Sequence, residues 1–180
     1  GLHGVGASVV NALSTHMKVE VRRDHKIYQQ EYFAGEKATP LEVIGEYKTG
    51  KTGSKTQFWP DPEIFDETVY DYSSLQRRLR EMACLNKGLS ISLEDKRVSP
   101  HKKEQFYYEG GIKEYIEYLN KNKEPINEKI FYYEVEKDGY EVEVALQYTD
   151  RYSELILSYA NNIHTTEGGF HEVGLKSAMT

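Results

Sequence analysis

Apolar residues at Val5, Val9, Ala12 and Leu13 recur at helical spacing directly behind a loop holding Gly1, Gly4 and Gly6. The pattern then changes period. Met17 to Arg22 alternates apolar and polar, as a half-buried strand does, and Ile27 to Phe33 repeats this after a turn at Arg23–Lys26. Leu41 to Tyr47 and Ser54 to Trp59 read as two more strands, the last stopped by Pro60. A helix is predicted behind a cap at Ser73 or Ser74, with Leu75, Leu79, Met82 and Leu85 as its stripe and Gly88 just past its end. Leu89–Leu93 and Gln105–Tyr108 read as strands around a charged loop at 94–104. Ile112, Tyr115, Ile116 and Leu119 give a further helix after Gly110-Gly111. Two alternating runs, Ile130–Glu136 and Tyr140–Tyr148, flank Lys137-Asp138-Gly139 as a hairpin. Ser153 to Asn161 is expected to be a strand, and the chain is expected to be helical from His171 onward.

This order of elements implies an α/β chain, a two-layer α+β sandwich with a mixed sheet in residues 1–110 and the start of a second α/β domain in 111–180. The boundary is placed between residues 110 and 125, where Gly110-Gly111 and Pro125 bracket a helix.

Composition narrows the function classes. The 180 residues are 38% hydrophobic and 29% charged, with a mean hydropathy of −0.70. No apolar run approaches the roughly 20 residues of a membrane helix, so no membrane association is expected. A net charge of −6 argues against a dedicated nucleic-acid binder. The densest basic stretch is Lys96-Arg97 with His101-Lys102-Lys103, read as a solvated loop. Cys84 is the single cysteine and lies among Met82, Ala83 and Leu85, which marks a buried, inert thiol in a reducing compartment. The six histidines have no metal-ligand spacing, so no metal site is assigned.

The glycine loop is the candidate chemistry. Free N–H groups at a helix start, with glycines that let the backbone approach closely, suit an anion such as a nucleotide phosphate. The pattern Gly1-x-x-Gly4-x-Gly6 is neither a Walker A loop nor a dinucleotide fingerprint. Because the chain begins inside this loop without methionine, it is expected to be an internal stretch of a longer protein.

A wider set of landmarks carries a resemblance. Gly1-Leu2-His3-Gly4-Val5-Gly6 with Ser8-Val9-Val10-Asn11-Ala12-Leu13-Ser14 closely resembles a glycine box of the B subunits of bacterial type II topoisomerases. Thr52-Gly53-Ser54 before Phe58-Trp59-Pro60, Tyr108-Glu109-Gly110-Gly111-Ile112, Tyr118 to Lys123, Val142 to Tyr148 and Asn161-Asn162-Ile163 are similar to further motifs of that family, in the family's order. The Asn120-Lys121-Asn122-Lys123 run tilts the resemblance toward the DNA gyrase B family; Gly174-Leu175-Lys176-Ser177-Ala178 is closer to the topoisomerase IV paralogue.

The resemblance implies a fold shared with Hsp90-type chaperones, histidine kinases and mismatch-repair proteins (the GHKL ATPases). Residues 1–110 would be the C-terminal half of that ATPase domain and 111–180 the N-terminal part of a transducer domain. It implies an ATP-dependent type II DNA topoisomerase in which ATP-driven dimerisation of two B subunits gates DNA and a partner A subunit cleaves it, in the cytoplasm. Backbone N–H groups of Gly1, Leu2, His3, Gly4, Val5 and Gly6 would hold the β- and γ-phosphates. Gly53 and Ser54 would lie on the adenine side, where serine replaces the family's threonine. Arg23 would sit at the pocket mouth, where aminocoumarin inhibitors bind. No catalytic residue is assigned, because the family's glutamate, its Mg²⁺ ligand and its adenine-binding aspartate precede the glycine box; Glu31, Glu36 and Glu81 are not promoted in their place. Phe170 stands where the family has threonine, which removes a potential helix cap. The alternatives are another GHKL ATPase, of chaperone or mismatch-repair type, or a non-catalytic structural or interaction module.

Overall fold

The computed structural model describes residues 4–180; Gly1, Leu2 and His3, expected to hold phosphate, lie outside the described residues. The chain forms two compact units, residues 1–70 and 71–180. The expected division at 110–125 falls inside the second unit, at the start of a helix.

In the first unit, α1 (Gly6–Ala12) leads into β1 (Ser14–Arg23), the middle strand of an antiparallel sheet. β2 (Lys26–Phe33) pairs with it on one side and β5 (Gly53–Pro60) on the other; the short β3 (Glu36–Lys37) and β4 (Glu42–Glu46) extend from β2. The alternation of β1 sorts its side chains onto two faces. Met17, 5% exposed, is opposite Tyr32 and Phe58 on one face. His16 is opposite Phe33 and Trp59 on the other and stacks between their rings, with centroids 4.6 Å away on each side.

In the second unit, α2 (Tyr72–Leu85) packs on the hairpin of β6 (Ile91–Asp95) and β7 (Lys102–Phe106) and on α3 (Ile112–Asn120). Ala83, Cys84 and Phe106 are buried there. Arg80 is buried with them. Its Nη2 donates to Glu104 at 2.7 Å and its guanidinium lies 4.1 Å from the Tyr118 ring centre. β8 (Phe131–Lys137) and β9 (Tyr140–Leu146) form the next hairpin, followed by the small β10 (Tyr159–Ala160) and β11 (Ile163–His164) pair and α4 (Phe170–Met179). The register puts Phe131, Tyr133, Val135, Val142, Val144 and Leu146 on one face of the β8–β9 hairpin. On the other, Lys87 Nζ donates to Tyr132 at 2.7 Å and pairs with Glu143 at 2.8 Å. Burial and the Glu134 contact push the Tyr132 hydroxyl up to about 12.

Four hairpins use the same device. Asp24-His25, Ala34-Gly35, Asp138-Gly139 and Asn161-Asn162 each place two successive residues at positive φ. Two-residue turns of that kind match the right-handed twist of the strands they join.

The structure corrects several expectations. Every named strand pair among the described residues is antiparallel, so the expected mixed sheet is not formed. The cap of α2 is Asp71, whose carboxylate accepts from Ser74 N–H at 3.0 Å; Ser73 and Ser74 are already helical. The second strand of the 89–108 hairpin begins at Lys102, because charge pairs such as Glu94 with Lys103 lie across it. Of the expected strand at 153–161 only Tyr159 and Ala160 pair, since alternation supplies no partner of its own. Phe170 is the first residue of α4 and Gly169 its cap position.

Large apolar side chains such as Leu41, Val69, Ile126 and Tyr140 stay uncovered, at 64%, 65%, 74% and 76% exposure.

Candidate functional site

The described part of the glycine loop has the geometry that the sequence asks for at one position. Gly4 sits at φ +66° with open space where a Cβ would stand. That conformation suits glycine and strains any L side chain. Val5 is the cap position of α1 and provides no side-chain acceptor, so the first-turn N–H groups are left without a cap. Gly6 opens the helix, and a Cβ there also meets nothing within 4 Å. Gly4, Val5 and Gly6 are all exposed.

The other site residues predicted from sequence gather at the far end of β1. Gly53 pairs with Arg22 and Ser54 with Val21, and Arg23 ends the strand. Arg23 is 76% exposed, with Nε 3.8 Å from Asp24, a contact of little energetic weight. The strand runs about 30 Å from Ser14 to Arg23 at its usual rise, and α1 joins it at the Ser14 end. Thus Arg23, Gly53 and Ser54 come together, while no hydrogen bond or ion pair among the described residues links them to Gly4–Gly6.

Two of the carboxylates left unassigned, Glu31 and Glu81, have structural partners. Glu31 accepts from His16 Nε2 at 2.9 Å and from Gln29 at 3.0 Å. Glu81 is buried against Arg78 at 2.8 Å. Among the described residues no three His, Cys, Asp or Glu side chains cluster as a metal site would need, and no helix is long and apolar enough to cross a membrane. Within the basic stretch at 96–103, Arg97 holds Asp95 at 2.6 Å, His101 and Lys103 meet Glu94, and Lys102 lies over the Tyr72 ring.

Sequence reading missed the contacts that seat α1. Asn11 Nδ2 donates to the Gly35 carbonyl at 3.0 Å, across 24 residues of chain. No local signal reports such a pair.

Comparison with known proteins adds a second, independent line. Residues 111–180 match the family model described as DNA gyrase B. The whole chain is 56% identical to the DNA gyrase B protein of Bacillus mycoides, spanning 44% of that protein. It is 53% identical to the DNA gyrase B protein of Enterococcus faecalis, spanning 28% of it. Among solved structures, the 43K ATPase domain of Thermus thermophilus gyrase B in complex with an aminocoumarin superposes with a TM-score of 0.85 at 41% identity, over 98% of this chain and 48% of that one. The topoisomerase IV ATP-binding domain of Francisella tularensis, in complex with a small-molecule inhibitor, gives 0.78 at 31% identity, over 96% and 46%. The chain therefore spans less than half the length of these relatives.

A glycine loop opening a helix beside an antiparallel sheet, with these structural neighbours, defines an α/β protein of the GHKL fold type. Within that fold type the chain matches the DNA gyrase B family, by whole-chain identity and by the family model over residues 111–180.

Proposed function

We propose that the protein carrying this chain is the ATP-binding and ATP-hydrolysing component of a bacterial type II DNA topoisomerase, of the gyrase rather than the topoisomerase IV kind. The observation that carries this reading is the 56% identity to a DNA gyrase B protein over the entire chain. In this reading residues 1–110 are the C-terminal half of the ATPase domain and 111–180 the N-terminal part of the transducer. ATP binding closes two B subunits into a gate that captures DNA, hydrolysis reopens it, and an A subunit cuts the DNA. The nucleotide thus works as a conformational switch. The cytoplasm is the compartment.

The residues present fit the phosphates of ATP. Gly1 to Gly6 contribute backbone N–H groups, and the vacant Cβ positions at Gly4 and Gly6 leave room for a phosphate to approach. Ser54 provides a hydroxyl that donates and accepts on the adenine side, with Gly53 beside it. Arg23, exposed and only loosely held by Asp24, is free to reach an aminocoumarin at the pocket mouth. In this reading the Mg²⁺ ligand and the general base lie in sequence outside this chain.

The test compares this 180-residue chain with the full-length protein. The chain is expected to release phosphate at background rate, because general-base help worth about 10²–10⁴ in rate is absent. The full-length protein with its A subunit is expected to hydrolyse ATP faster in the presence of DNA and to change DNA supercoiling. Full turnover by the short chain, or no DNA-dependent ATPase in the full-length protein, would overturn the reading.

A further inference from the structure

The helix that carries the glycine loop has little to hold it. α1 spans seven residues, Gly6–Ala12, and none of its residues is fully buried. Val9 and Val10 are 46% and 37% exposed. Its C-terminal end, by contrast, is fastened. Asn11 Nδ2 donates to Gly35 O at 3.0 Å. Gly35, at φ +84° in the β2–β3 turn, lies so close that a Cβ there would stand 3.2 Å from the Ala12 Cα. Buried Ser14 donates its hydroxyl to Val10 O at 2.6 Å, and Asp61 N–H donates to Leu13 O at 3.1 Å.

We propose that Asn11 and Gly35 are positioning residues for phosphate binding: the β2–β3 turn sets the pose of α1 and, through it, the place of the glycine-loop amides. This rests on the phosphate-loop reading above. The lever is short and stiff. Gly6 stands five residues from Asn11, about 7.5 Å along a helix, so a tilt of about 10° at the anchor displaces the Gly6 amide by about 1.3 Å. Hydrogen bonds hold over a range of about half an ångström, so that displacement breaks one. Gly35 acts by size and conformation together. The one crowded atom, the Ala12 Cα at 3.2 Å, belongs to the backbone of α1, so it gives way only by a shift of the helix and not by a rotamer change. The Asn11 amide acts by its donor, and its Oδ1 is buried without a partner, which leaves the Gly35 carbonyl as the group that orients it.

The test uses the full-length protein with four variants beside wild type: Asn11→Ala, Gly35→Ala, Gly139→Ala and Gly6→Val. Calorimetry reads the Kd of a non-hydrolysable ATP analogue and, separately, of an aminocoumarin, whose expected contact at Arg23 lies at the other end of β1. Gly139, at φ +79° in a hairpin turn with open space around it, carries the same backbone strain as Gly35 without the collision. Asn11→Ala and Gly35→Ala should each raise the Kd of the ATP analogue about five- to tenfold, the scale of one hydrogen bond. The aminocoumarin Kd should stay within about twofold, and Gly139→Ala should lower the Tm while leaving both affinities alone. Should Gly35→Ala not fold, Asn11→Asp replaces it: the shape is kept and a carboxylate faces the carbonyl, so the same loss is expected. ATP-analogue affinity unchanged in the Asn11 and Gly35 variants but weakened in Gly6→Val overturns the positioning role alone. Equal weakening of both ligands overturns it too, since that reports general damage. An unchanged Kd in Gly6→Val removes the phosphate-loop reading itself.

Discussion

Gly6→Val separates the glycine's role in the fold from its role toward a phosphate. In the structure a Cβ at position 6 meets nothing within 4 Å. The residue is exposed and opens α1, where valine is a slightly better helix former than glycine. The nucleotide-free protein should therefore keep its stability to within about 0.5 kcal/mol. In the proposed phosphate loop, the added isopropyl group instead occupies the space a phosphate needs. Losing one charge-assisted backbone contact costs about 1.5–3 kcal/mol, so the Kd for ATP should rise about 10- to 150-fold. Thermal unfolding with and without nucleotide reads both effects. At a concentration of about 100 times the wild-type Kd, ATP stabilises the wild type by about 2.7 kcal/mol. A variant whose Kd is about 100-fold higher gains only about 0.4 kcal/mol. Gly4→Ala is the contrast, because at φ +66° it should cost about 1 kcal/mol before any nucleotide is added. Equal nucleotide stabilisation of wild type and Gly6→Val, or a large loss in the nucleotide-free Gly6→Val protein, would refute the reasoning.

Three further outcomes are expected. Arg80→Ala removes the bonds to Glu104 and Tyr108 and the stacking on Tyr118; the loss should be about 3 kcal/mol in urea unfolding, and a loss under about 1 kcal/mol would show that the guanidinium is not part of the core. Burial, reinforced by the Glu114 charge, pushes the Cys84 thiol up to about 12. The folded state keeps that proton after the unfolded chain has lost it, so stability relative to Cys84→Ala should fall as pH rises from about 9 toward 12, by up to about 1.4 kcal/mol per pH unit; parallel stability curves for the two proteins would contradict this. Arg97 holds the Asp95 carboxyl down to about 2 through its side-chain and backbone hydrogen bonds; Arg97→Gln should let it titrate higher by carboxyl NMR, and an unmoved titration would assign the shift elsewhere.

The short-range features of this protein were legible in its residue order because their physics is local. Alternation at Met17–Arg22 and Ile27–Phe33 places β1 and β2, since a strand's two faces follow from backbone geometry alone. The turn at Asp138-Gly139 and the helical stripe from Ile112 are equally local. The glycine loop was legible as a candidate anion cradle, and the motif order carried the family. Other features rest on groups far apart in the chain and emerged only with the packed fold. The stack of His16 between Phe33 and Trp59, the burial of Arg80 against Glu104 and Tyr118, and the seating of α1 by Asn11 on Gly35 are settled by neighbours outside any sequence window. That Gly4 takes φ > 0 while Gly6 does not, that Asp71 rather than Ser73 or Ser74 caps α2, and that Ser153–Asn161 pairs only through Tyr159 and Ala160 are local outcomes that the residue pattern left open. Residue type sets which bonds and surfaces are available, and chain folding chooses among them by bringing distant partners within reach.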